Sequence, residues 1–280
     1  MKLLIHGGFF SESTTNRETK IAKQEALKRV IRESYTYLQE HSAVETVVHA
    51  VKLLEDDELF NAGTGSMIQS DGQIRMSAAV MDGKSKKFSG VMNVQHIQNP
   101  IILANMLSKE DDRVLAGEGA NLYAQEMGIP SFDVEIPQRR AEYLEEKNKT
   151  KTGTVGCVAL DEYGNLAAAT STGGKGFELV GRVSDSATVA GNFANDFCAV
   201  SCTGVGEDIV SCAVATKIVT RVTDGMQVKQ ACDKTFAELK EIEGYAGAIV
   251  LDHAGNSHHI DSHLMMVFAE FDGENLVVFD

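Results

Sequence analysis

Residues 151–161 read KTGTVGCVALD, and the change at Gly153-Thr154 from a charged, soluble stretch to an apolar run decides how the chain is organised. Read plainly, Thr154 opens a β-strand, as threonine often does. A second reading makes Gly153-Thr154 a bond meant to be cut, so that Thr154 becomes a new amino terminus and a nucleophile. On either reading a strand-rich half starts here. TVGCVALDEYGNLAAATS (154–171) is two apolar runs around a turn, a hairpin by composition. GAIVLDHAGNSHHI (247–260) repeats the form, with Leu160-Asp161-x-x-Gly164-Asn165 echoed by Leu251-Asp252-x-x-Gly255-Asn256, and MVFAEFDGENLVVFD (266–280) is a third hairpin. Between them, 207–225 and 226–243 read as two helices, the first ending at Gly225.

Upstream, residues 129–153 lose periodicity. PQRRAEYLEEKNKTKTG is charged and nearly free of β-branched residues, which predicts an exposed, mobile linker where a chain can be opened without loss of its core. Before it, Leu3–His6 reads as a short strand ended by Gly7-Gly8. A helix is expected from Thr15, which has capping-box spacing to Glu18, through apolar positions Ile21 to Leu38. AVETVVHAVKLLE (43–55) predicts a second helix, and DDELFNAGTGSM a glycine-rich loop. Strands are expected over 73–81 and 87–95, with helices opening at Asn99-Pro100 and over 119–128. Runs of hairpins together with helix pairs point to an α+β layered sandwich within a single domain, 1–280, rather than alternating βαβ units.

The formal net charge of −14 argues against a nucleic-acid binder, which needs a basic face. Apolar runs such as GAIVL are far shorter than the roughly 20 residues that span a bilayer. The apolar run in MKLLIHGGFF is too short for a signal-peptide core, so a cytoplasmic location is expected. The five cysteines have no C-x-x-C spacing and suggest neither a disulfide framework nor a zinc site. His253, His258, His259 and His263 form a loose cluster without a matching carboxylate pattern, and read as strand-edge residues.

Four small-residue clusters follow the linker: Gly153-Thr154-Val155-Gly156, Thr170-Ser171-Thr172-Gly173-Gly174, Gly181-Arg182-Val183-Ser184-Asp185 and Cys202-Thr203-Gly204-Val205-Gly206-Glu207. Each alone is weak. Together they hold the parts of acyl transfer: a hydroxyl nucleophile, further hydroxyls, a cation and anion pair, and a glycine turn with backbone donors. Arg182 and Asp185, three residues apart, can face one pocket. There the arginine forks onto an α-carboxylate while the aspartate receives an α-ammonium, a combination that reads an amino acid.

This ordered set, with IHGG at 5–8, LEDDELFNAGTG at 54–65 and AAVMDG at 78–83, resembles the plant-type L-asparaginase and isoaspartyl peptidase family of N-terminal-nucleophile hydrolases. The resemblance implies a four-layer αββα sandwich whose precursor cuts itself at Gly153-Thr154, leaving 1–153 as α chain and 154–280 as β chain. It also implies hydrolysis of L-asparagine and of β-aspartyl (isoaspartyl) dipeptides by a homodimer of two-piece protomers. Thr154 would be the nucleophile, Thr172 the threonine that orients it, Thr203 and Gly204 the oxyanion hole, and Asn61 the holder of the nucleophile's amine. Arg182 and Asp185, with Thr203, Gly204 and Gly206, would bind substrate. Backbone carbonyls of Leu54, Glu55, Phe60 and Ala62 would hold a structural sodium ion, with no cofactor needed for catalysis. A freed α-amine has a pKa of about 7.7–8.0, near neutrality as a general base requires, whereas a lysine at about 10.4 would need a large shift. Phe9-Phe10 replaces the family's usual Ala-Gly and is expected to reshape the pocket rim. Two alternatives stand beside this reading: a glycosylasparaginase-like amidase, and an amino-acid-binding homologue that never cuts itself.

Overall fold

The computed structural model describes residues 1–9, 17–145, 153–263 and 265–280. Phe10, Thr15 and linker residues 146–152 therefore lie outside the described residues. Along the chain the elements are β1 (Lys2–Phe9), α1 (Arg17–Leu38), α2 (Ala43–Glu55), β2 (Met76–Asp82), β3 (Lys87–Val94), α3 (Pro100–Leu107), β4 (Val114–Ala116), α4 (Gly117–Glu126) and α5 (Pro137–Leu144). After Thr154 come β5 (Val155–Leu160), β6 (Leu166–Thr172), β7 (Asn192–Ala194), β8 (Cys198–Gly204), α6 (Gly206–Cys212), α7 (Val214–Thr223), α8 (Val228–Glu241), β9 (Ala246–Asp252), β10 (Ser257–Asp261), β11 (Met266–Phe271) and β12 (Leu276–Val278).

Helix α2 shows the local chemistry at its plainest. Ser42 and Glu45 form a reciprocal capping box, the serine hydroxyl accepting from Glu45 N and the glutamate carboxylate from Ser42 N. Val47, Val48, Val51 and Leu54 then bury one face, and that face packs on β5 and β6.

The strands form an eight-stranded sheet in the order β12-β11-β1-β5-β6-β2-β3-β4 and a four-stranded sheet in the order β10-β9-β8-β7. Strand β1 is central, antiparallel to both β11 and β5, with His6 opposite Gly156. Helices α1, α2 and α3 contact the large sheet, α7 and α8 contact the small one, and β5 and β6 meet β8 across the space between sheets. The main core fills the large sheet and its helices, and a second cluster, rich in Cys198, Cys202, Cys212 and Cys232, lies between the small sheet and α6–α8. All five cysteines are free and buried.

Several expectations are corrected. Strand β1 continues through Gly7-Gly8 to Phe9, where after an irregularity past His6 it pairs again with β11, Phe9 opposite Met266. The single helix expected over 207–225 is two, broken at Ala213, whose backbone is left-handed (φ 50°, ψ 48°). Part of the stretch expected to lack structure is helix α5, opened by Pro137 at its first turn and tied down by Arg139, which donates to Gly65 O at 2.8 Å, and by Tyr143 stacked on Phe177. Phe9 does not shape a rim. It is buried in the core against Tyr245, with ring centroids 4.5 Å apart. Among the described residues no helix is long and apolar enough to cross a membrane.

Candidate active site

Thr154, immediately before β5, borders a cavity of about 160 Å³ lined by Gly153, Thr172, Gly174, Lys175, Arg182, Ser184, Asp185, Gly204, Val205 and Gly206 as well as by Thr154 itself. The volume suits a small ligand, below the roughly 300–1,000 Å³ of common ligand pockets. Thr154 and Thr172 are buried, and their hydroxyls meet because β5 and β6 pair directly, Val155 lying opposite Ser171.

The hydrogen bonds run in one direction. Thr154 Oγ1 donates to Thr172 Oγ1 at 3.3 Å, and Thr172 Oγ1 donates to the carbonyl of Gly153 at 3.0 Å. Asn61 Nδ2 donates to the same Gly153 oxygen at 2.9 Å and to Gly174 O at 2.5 Å. The carbonyl ahead of Thr154 thus receives two donors, an arrangement able to stabilise a developing oxyanion. Asn61 is itself fixed: its Oδ1 accepts from Met67 N and its backbone carbonyl from Gly173 N, both at 2.9 Å.

On the far side of the cavity Gly204 has φ 141°, and a side chain there would meet Tyr245 O at 2.4 Å, so both backbone and space demand glycine. Thr203, next to it, is fully buried, and its Oγ1 has no hydrogen-bond partner among the described residues. Asp185 opens a short 3₁₀ turn, Asp185–Ala187. Burial raises its carboxyl pKa to about 7 despite the opposing pull of Arg182, and Oδ2 has no partner among the described residues.

Arg182 and Asp185 face one cavity, as their spacing allows. The arginine's bidentate partner is Glu207, Nε to Oε1 at 3.0 Å and Nη2 to Oε2 at 2.9 Å. Lys175 adds a third bond to Glu207 Oε1 at 3.1 Å.

Two further groups escaped sequence reasoning. His6 Nδ1 donates to the carbonyl of Thr154 at 3.0 Å, which leaves Nε2 to accept from Ser201 Oγ at 2.8 Å. Burial lowers the pKa of this imidazole to about 3, so it is neutral at any working pH. Gly156 makes room for the pair, since a Cβ there would lie 2.0 Å from Ser201 Oγ. Glu55, fully buried, accepts from Ser171 Oγ at 2.6 Å and from Ile101 N at 3.1 Å, and burial lifts its pKa to about 8. It ties the end of α2 to the residue before Thr172.

The carbonyls expected to hold sodium belong to buried residues at the end of α2 (Leu54, Glu55) and in the loop after it (Phe60, Ala62). Glu55 O accepts from Thr64 N at 2.8 Å, while Glu58 O and Phe60 O each lie 2.8 Å from where a Cβ of Gly65 would stand. Backbone carbonyl oxygens are a donor set suited to a hard cation. Among the described residues no three His, Cys, Asp or Glu side chains gather as a metal site.

The sequence profile of the family described as Asparaginase matches residues 1–149 and 135–277. The chain belongs to that family. Among its relatives, an isoaspartyl peptidase/L-asparaginase of Nostoc sp. is 46% identical over 91% of this chain and 86% of its own. An isoaspartyl peptidase of Escherichia coli is 36% identical over 91% and 87%. A plant-type L-asparaginase of Pyrococcus abyssi is 33% identical over 91% and 90%. The match spans both halves of the chain, taking in the loop that bears Asn61 and the segment with Thr154 that leads into β5.

Proposed function

We propose that this member of the asparaginase family is an autoprocessing threonine hydrolase that converts L-asparagine to L-aspartate and ammonia and cleaves β-aspartyl dipeptides. The observation that carries this reading is the ordered contact Thr154 Oγ1, Thr172 Oγ1, Gly153 O, set in one cavity with Arg182 and Asp185. The names of the relatives agree with it.

Self-cleavage would begin with Thr154 Oγ1 adding to the Gly153 carbonyl carbon, the oxyanion resting on Asn61 Nδ2 and Thr172 Oγ1. The C–N bond then breaks, the proton passes to the Thr154 nitrogen, and water hydrolyses the resulting ester to leave a Gly153 carboxylate and a free Thr154 amine. That amine is the base for the second reaction. It takes the proton from Oγ1 as the hydroxyl adds to the substrate's side-chain amide. Thr203 Oγ1, unengaged by other described groups, and the Gly204 N–H receive the developing charge. Arg182 takes the α-carboxylate and Asp185 the α-ammonium. The leaving amine departs protonated, and water releases aspartate from the acyl-enzyme.

The proposal extends to a four-layer αββα order, to chains 1–153 and 154–280 as products of maturation, and to a homodimer of such protomers. A sodium ion held by carbonyls of Leu54, Glu55, Phe60 and Ala62 would steady the turn that carries Asn61 and take no part in chemistry. Mass spectrometry of aged protein should show two chains in place of one of 30.3 kDa. Thr154→Ala should remain intact and inactive. An uncut chain that hydrolyses asparagine would overturn the mechanism.

A further inference from the structure

Arg182 already grips one carboxylate of its own protein. Its Nε and Nη2 donate to the two oxygens of Glu207 at 3.0 and 2.9 Å, and Lys175 Nζ donates to the same carboxylate at 3.1 Å. Glu207 stands in the first turn of α6, directly after the Gly204-Val205-Gly206 turn that lines the cavity. The Arg182 side chain is only 14% exposed, against 50% for Glu207, so the glutamate lies on the solvent side of the arginine.

A guanidinium offers five donors in a planar fork. Glu207 engages the Nε–Nη2 edge and leaves the Nη1–Nη2 edge. Arg182 also lines the ligand space, and a Cβ at Gly206 would lie 2.9 Å from Arg182 Nη2 and 3.0 Å from Asp185 Oδ1, so the two groups converge on one glycine of the cavity wall. Two roles are open to Glu207. As a rival, it would have to leave before a substrate carboxylate could bind. As a strut, it would stay and aim the arginine. Displacement would break the two Arg182–Glu207 bonds to form two, with no net gain, whereas the strut keeps both and lets the remaining edge form two more.

We propose that Glu207 is a positioning residue for substrate specificity: held by Arg182 and Lys175, it locks the guanidinium so that the Nη1–Nη2 edge meets the α-carboxylate of an α-amino-acid substrate. Hydrogen bonding from Arg182 holds the Glu207 pKa at about 2, so the strut stays charged across the working range. The inference rests on the proposed role of Arg182 in reading that carboxylate.

The test uses matured enzyme and two substrates, L-asparagine and its α-carboxamide, which lacks the carboxylate. Glu207→Gln and Glu207→Ala should raise KM for L-asparagine about tenfold, the scale of one long side chain's rotamer freedom, with kcat nearly unchanged. KM for the carboxamide should not move, and Glu207→Asp should recover part of the loss. Lys175→Met, which removes only the second tether, should move KM in the same direction by less. A lowered KM would make Glu207 a rival, and equal changes for both substrates would make its role merely structural; either overturns the proposal. Glu207 does not touch the Gly153–Thr154 bond, so each variant should still mature to two chains, which checks folding. If the wild type fails to hydrolyse asparagine, the functional reading falls. Calorimetric binding of L-aspartate to wild type and Glu207→Gln then tests the strut by itself, equal affinities overturning it.

Discussion

Asp185 is the residue assigned to the substrate's α-ammonium in the proposed mechanism, and it lines the cavity from a buried position. Its Oδ2 is buried without a partner among the described residues, and burial pushes its pKa to about 7. A raised carboxyl pKa means the charged form is lost as pH falls through that value. Recognition of an α-ammonium should therefore weaken below about pH 7, and kcat/KM for L-asparagine in the free enzyme should fall with it. Asp185→Asn should remove its own part of that limb, leaving the part set by protonation of the Thr154 amine, and lower kcat/KM by roughly 10- to 100-fold, the worth of about 1.5–3 kcal/mol for a hydrogen bond to a charged group. Rates measured from pH 5 to 9 check both. At this scale Thr154, Thr172, Arg182 and Asp185 were legible, because each sits in a short cluster of recognisable chemistry. His6, Ser201 and Glu207 were not. His6 and Ser201 are 195 residues apart, and the Arg182–Glu207 pair spans 25, distances at which no local pattern announces a bond.

Element by element, the strongest local signals were the most legible. Helix α2 was expected over 43–55 and is Ala43–Glu55, because its capping box and apolar period agree. The hairpins β5–β6 and β9–β10 were likewise readable from runs around Asp-x-x-Gly-Asn turns, in which Asp161 and Asp252 each accept from backbone N–H groups of their own turn. Strand β8, central in the small sheet, was not recognised: CAVSCTG has a single β-branched aliphatic residue, and its place is set by pairing with β7 and β9. The break between α6 and α7 was also silent, since nothing about an alanine announces a left-handed backbone. That break yields a prediction. An L-residue in this conformation costs roughly 1–2 kcal/mol, while glycine adds about 0.4–1 kcal/mol of unfolded-chain freedom, so Ala213→Gly should gain up to about 1 kcal/mol. A higher urea midpoint with an unchanged slope would confirm it.

Across the whole molecule, the large sheet alternates between the two halves of the chain. Strands β1, β2, β3 and β4 precede Thr154 and β5, β6, β11 and β12 follow it, yet the order is β12-β11-β1-β5-β6-β2-β3-β4. After maturation the two pieces should co-elute as one species in native size-exclusion chromatography and separate only in denaturant. Elution as separate fragments would contradict the sheet order. Under the proposed self-cleavage, the same interleaving would govern the timing of activation. Asn61 comes from one half and Thr172 from the other, and both would have to reach the Gly153 oxygen before its carbonyl carbon is attacked. A nascent or misassembled chain would have no such convergence, and would stay unclipped and harmless to other amides. Backbone scission would then serve as a checkpoint: the molecule would license its own chemistry only after its architecture had passed inspection.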